Sequence, residues 1–107
     1  MAGNRLVLHD KFIDILGTRG QAISRVYFQP PATVKLEYPC IIYGRSNRRD
    51  FFSNDRLYLG MNRYLVTIVD KNPDSLIPDK VRELPYCAFS AHYGADGLNH
   101  DVFTLYF

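Results

Sequence analysis

Residues 64–107 constrain the fold more than any other part of the chain, because they read as a strand, a short helix and two further strands running to the last residue. Tyr64, Leu65, Val66, Thr67, Ile68 and Val69 form a β-branched and aromatic run of the kind that packs as a buried strand. Asn72-Pro73-Asp74-Ser75 is turn chemistry. Pro78 then opens a short helix over 78–84, since its missing N–H would lack an intrahelical partner in the first turn anyway. Phe89, Ala91 and Tyr93 alternate with Ser90 and His92 as a strand does; Gly94-Ala95-Asp96-Gly97 turns the chain, and residues 101–107 pair back. Chain ends fray unless something ties them down. An end this aromatic and aliphatic predicts a buried closing strand, with no room for an appended catalytic or signalling element.

Upstream, residues 6–16 carry a helical period. Leu8, Phe12, Ile15 and Leu16 fall on one face, with His9, Lys11 and Asp14 largely off it, and Gly17 follows as a stop. A strand over 25–29 ends at Pro30-Pro31. Val34, Leu36 and Tyr38 alternate with Lys35 and Glu37, which predicts an extended segment with one buried face. Pro39 breaks that run, and Cys40-Ile41-Ile42-Tyr43 reads as a central strand. Residues 44–55 are polar and loop-like, and residues 57–69 resume β character as two strands meeting near Gly60. The whole is a single α+β domain over 1–107: a mostly antiparallel β-sheet covered by an N-terminal helix and a second short helix. At 107 residues the chain can bury a core, though only a modest one.

Composition excludes several classes of function. An apolar fraction of 47% with 14% aromatics argues against disorder. A net charge of +2 and a pI of about 8.6 fall short of the pI above about 9 usual for nucleic-acid-binding domains, a balance that neither demands nor excludes such a partner. No run approaches the roughly 18 apolar residues of a membrane span. Cys40 and Cys87 are the only cysteines, and no export signal precedes them, so both are expected as buried, reduced thiols in an intracellular, soluble protein. His92 and His100 flank a turn with Asp96 and Asp101 nearby, but without metal-ligand spacing they read as polar residues at strand ends. Asp10 and Asp14 are one helical turn apart and read as solvent-face charges. No phosphate loop, nucleophile elbow or dinucleotide fingerprint occurs. Neither a catalytic site nor a cofactor is expected.

The arginines are more informative. Arg45, Arg48, Arg49, Arg56 and Arg63 fall close together and are interleaved with Phe51, Phe52 and Tyr58. Arginine with aromatics is the composition of protein interfaces and of single-stranded nucleic-acid grooves alike. Asp50 and Asp55 count against a phosphate track. Three readings stay open: a protein interface built on Arg45, Arg48, Arg49, Phe51, Phe52 and Arg56, a solvated loop, or a nucleic-acid groove.

Four segments resemble a family of minor structural proteins of tailed bacteriophages. They are Val26-Tyr27-Phe28-Gln29-Pro30-Pro31, then Tyr38-Pro39-Cys40-Ile41-Ile42-Tyr43, then the strand of residues 64–73, and last Leu84-Pro85-Tyr86-Cys87 with His100-Asp101-Val102-Phe103-Thr104-Leu105-Tyr106. In size and in helix–sheet–helix–hairpin order the chain is similar to the tail terminator, or tail completion, proteins of long-tailed phages. That resemblance implies a virion protein assembled in the host cytoplasm as a ring, typically a hexamer. The ring caps the head-proximal end of the tail tube, meets the head–tail connector or neck proteins, and passes DNA only as cargo through its channel. A head-side neck protein, adaptor or stopper, is the alternative within the family. A small single-stranded nucleic-acid-binding module is the alternative outside it.

Overall fold

The computed structural model describes residues 5–17, 25–46 and 62–107. Helix α1 (Arg5–Leu16) precedes strands β1 (Val26–Phe28), β2 (Cys40–Arg45) and β3 (Arg63–Asp70); helix α2 (Ile77–Arg82) and strands β4 (Cys87–Ala95) and β5 (Leu98–Tyr106) follow. The strands form one five-stranded sheet in the order β1-β2-β3-β5-β4. β1 runs parallel to β2, and every other pairing is antiparallel. The architecture is the expected α+β one, a mostly antiparallel sheet with two helices.

Strand alternation decides which residues meet the helices. Tyr43 is opposite Val66 and Ile41 opposite Ile68, while Tyr64 and Val66 are opposite Leu105 and Phe103. Directly opposed residues share a face, so these side chains form one apolar surface. Leu8, Phe12 and Ile13 of α1 and Val81 of α2 close over it, and all are essentially inaccessible. Each such side chain contributes about 1.5–3 kcal/mol through burial.

The face of α1 differs from the expected one. Leu8 and Phe12 are buried as anticipated, but Ile13 joins them, and Ile15 and Leu16 sit half-buried at the margin. At 100° per residue the buried arc is rotated toward Ile13, which draws Arg5 and His9 down to the sheet. The rotation is possible because Tyr43 offers both of them a hydroxyl partner.

Residues 30–39 form no strand, yet their burial alternates: Val34, Leu36 and Tyr38 are half-buried, Lys35 and Glu37 exposed. The segment is tied to β1 by single contacts instead of a ladder. The Glu37 N–H donates to Tyr27 Oη (3.2 Å), and Arg25 Nη1 donates to the Tyr38 carbonyl (3.5 Å). Before α2, the Asn72 N–H donates to Asp70 Oδ1 (3.0 Å) and the Asp74 N–H to Asn72 Oδ1 (2.9 Å), side-chain mimicry of a backbone turn. Ser75 Oγ accepts from the Ile77 N–H (3.2 Å), so the helix begins one residue before Pro78 and ends at Arg82, short of the expected Leu84.

The closing hairpin is longer and its turn tighter than expected. Gly94 and Ala95 belong to β4, and only Asp96 and Gly97 turn the chain, at φ of +53° and +74°. Two positive φ values in a two-residue loop make a type I′ turn, whose twist matches that of the flanking strands. A bulge between Phe89 and Ala91 then breaks the simple alternation. Phe89 stays on the helix side, edge-on to Phe103 with ring centroids 5.6 Å apart, while Ala91 and Tyr93 lie on the opposite side. The terminal strand β5 runs between β3 and β4, and Phe107 and Asn62 exchange two backbone hydrogen bonds of 2.9 and 3.0 Å. The chain end is therefore held in the sheet, as its composition predicts.

Candidate interface

Of the residues expected to build an interface, Arg45 is described, and Arg48, Arg49, Phe51, Phe52 and Arg56 lie outside the described residues, as does the junction near Gly60. Arg45 ends β2 with its side chain exposed, and its N–H donates to Gln29 Oε1 (2.9 Å). The same Gln29 packs over Gly44: a Cβ added there would stand 3.0 Å from Gln29 Cγ, so glycine lets the side chain cross the strand. Arg45, Ile42, Leu65 and Thr67 line an open groove of about 460 Å³ beside it. The groove lies on the sheet face away from the helices, where Leu65 is 44% exposed. On that same face Cys40 and Val69, opposite each other in register, are buried apart from the main core.

A second apolar surface escaped the reading of the sequence. Residues 88–95 of β4 are all exposed, Phe89 and Tyr93 at 49% each, with Tyr86 at 46% just before them. Alternation in 89–93 implied one covered face, but the bulge puts Phe89 and Tyr93 on opposite faces, and although α2 packs against β4, residues 88–95 stay exposed. A signal was available, since residues 87–95 contain no lysine, arginine, aspartate, glutamate or proline. Those are the residues that ordinarily guard a sheet edge.

The two hairpin histidines do not converge. His92 is opposite Asp101 and its Nδ1 lies 2.7 Å from Asp101 Oδ1, whereas His100 is opposite Tyr93 and stacks on it with ring centroids 4.6 Å apart. Successive register pairs point to opposite faces of the sheet, so the two imidazoles are separated by it. Among the described residues no three His, Cys, Asp or Glu side chains are grouped to hold a metal ion.

Under α1 the polar chemistry is of another kind. Tyr43, 1% exposed, receives a hydrogen bond from Arg5 Nη1 (3.2 Å) and shares one with His9 Nδ1 (2.7 Å). The Arg5 guanidinium also sits 4.2 Å over the Phe28 ring. Arginine can only donate, so Tyr43 Oη accepts from Arg5, and its own proton can go to His9 Nδ1 whenever that nitrogen carries none. Burial pushes the His9 pKa down, the Arg5 charge pushes it further, and Asp10 partly offsets both. Burial and then the hydrogen bond and charge of Arg5 act in opposite directions on Tyr43, whose pKa is raised on balance. Tyr64, one strand over, is fully buried, and among the described residues its hydroxyl has no hydrogen-bond partner.

Both cysteines are free thiols. Cys40 is buried as expected, but Cys87, at the start of β4 and packed at the margin of the core, is only half-buried. Burial, then the Asp70 charge, pushes the Cys40 thiol up to about 12; burial pushes Cys87 up to about 11 against the Arg82 charge. At neutral pH both are protonated, and it is the thiolate that reacts. Among the described residues no helix is long and apolar enough to cross a membrane. No protein-family model, curated protein or solved structure matches the chain.

Proposed function

We propose that this chain is a virion structural protein of a tailed phage: a tail terminator that forms a ring on the head-proximal end of the tail tube and joins it to the head connector. What supports the reading is the element order. An N-terminal helix, a sheet, a short helix and a closing hairpin follow one another along the chain, the order implied by the resemblance. The net charge of the chain is only +2, which suits a protein whose partners are other proteins and whose DNA contact is passage through a channel. A ring needs two different patches on each subunit. The groove beside Arg45 and the neighbouring arginine–aromatic segment supply one candidate patch on this reading, and its hot spots would be the arginines and aromatic rings.

Immunogold imaging of intact particles with an antibody to this chain tests the proposal. The expected label is a single site where the tail tube meets the neck. Label on the head side of the joint makes the chain an adaptor or stopper. Absence from the particle, together with salt-dependent binding of single-stranded oligonucleotides, replaces the reading with a nucleic-acid module.

A further inference from the structure

The two edges of the sheet are built differently. β1 has three residues, with Arg25 before it and Gln29-Pro30-Pro31 after it, so it offers little for another strand to add to. β4 has nine residues, every one from 88 to 95 is exposed, and among the described residues only β5 pairs with it. Soluble proteins blunt such an edge with lysine, other charges, proline, shortness or a bulge. β4 has a single one of these devices, the bulge between Phe89 and Ala91, and beyond it the strand pairs regularly from Ala91 to Ala95. An edge left this open presents a row of unpaired N–H and C=O groups flanked by aromatic rings.

We propose that two copies of this chain pair antiparallel through β4, joining their sheets edge to edge across a twofold axis. Three observations select a second copy as the occupant. Among the described residues β4 is the only free edge long enough to satisfy another β4, since β1 matches three of its residues at most. Residues 87–95 carry no formal charge apart from the titratable His92, so the strand can lie against itself without placing like charges opposite each other. Asp101, 2.7 Å from His92 Nδ1, supplies the counter-charge within each copy when that histidine is protonated. The contact uses the same patch on both copies, so it is isologous and distinct from the heterologous contact that closes a ring. It describes the free protein and does not rest on the proposed virion role.

The test is the sedimentation mass of the purified full-length chain, wild type against Ala91→Lys with Ala95→Lys. Ala91 and Ala95 are exposed and lie on the face away from the helices, so the lysines disturb no core contact, and an unchanged melting curve verifies the fold. Wild type is expected at twice the 12.4 kDa of the chain, dissociating on dilution. The double-lysine variant is expected at 12.4 kDa with its dissociation constant raised at least tenfold. In parallel, hydrogen exchange at the β4 amides should speed up on dilution of the wild type and be fast at all concentrations in the variant. A wild-type monomer at every soluble concentration overturns the proposal, as does an oligomer whose mass the lysines leave unchanged. Neither result bears on where gold label falls on the particle.

Discussion

Tyr43 and Tyr93 occupy equivalent places in their local sequence, each an aromatic residue in an alternating apolar strand, and the protein treats them in opposite ways. Tyr43 is 1% exposed, packed against Phe12 and Phe28 and hydrogen-bonded to Arg5 and His9. Tyr93 is 49% exposed and stacked on His100. The difference lies in what stands above each side chain. Tyr43 lies on the sheet face that α1 and α2 cover, whereas Tyr93, beyond the bulge in β4, lies on the face away from them. A period-2 pattern therefore tells which side chains share a face, and the helices decide whether that face becomes core.

The largest effect that sharpens this contrast is side-chain removal. Tyr43→Ala is expected to cost about 3–5 kcal/mol, the range for deleting a large buried aromatic, whereas Tyr93→Ala should cost under about 1 kcal/mol. Urea unfolding of both variants checks the pair, and equal losses would break the comparison. Tyr64→Phe should act in the other direction. Its hydroxyl is buried and has no partner among the described residues, a situation that costs about 1–3 kcal/mol, so the phenylalanine variant is expected to be at least as stable as wild type. A clear loss of stability in the same assay would mean that the hydroxyl has a partner.

Smaller effects probe the hairpin and the helix anchor. Gly97→Ala places a side chain at φ +74° and should destabilise by about 1 kcal/mol, read as a lower melting temperature. The anchor under α1 predicts a pH dependence. His9 has its pKa lowered in the folded state, chiefly by burial and then by Arg5, so the unfolded chain binds the proton more readily. Its contribution is fully present above the ordinary histidine value near 6.5 and is lost as pH falls through the lower, folded one. Melting curves of wild type and His9→Gln over that window should converge in slope everywhere except there, the variant lacking the acid-side decline.

Turn and strand positions were legible where local chemistry is decisive. The run from Tyr64 to Val69, the Asn72-Pro73-Asp74-Ser75 turn and the strand nature of the closing segment all read directly, because β-branched runs and turn residues act over a few residues. Helix α1 read correctly in extent but not in face, since its rotation depends on a tyrosine hydroxyl 34 residues away from His9 in sequence. The bulge after Phe89 was hidden for a related reason: it is a property of the β4–β5 register, not of the β4 sequence. Of the expected interface residues, Arg45 lies at an open groove; the exposed hairpin surface went unseen because alternation was taken to imply cover.

The sequence by itself determined the elements, their order and the antiparallel return of the C-terminal strand, all set by short-range propensity and by an aromatic end too apolar to stay in water. Only the tertiary structure decided that β1 joins β2 in parallel, that Arg5 and His9 turn inward to Tyr43, and that β4 stands uncovered at the edge. Those outcomes depend on which surfaces meet across long stretches of chain. Burial is a relation between elements, and no single segment specifies it.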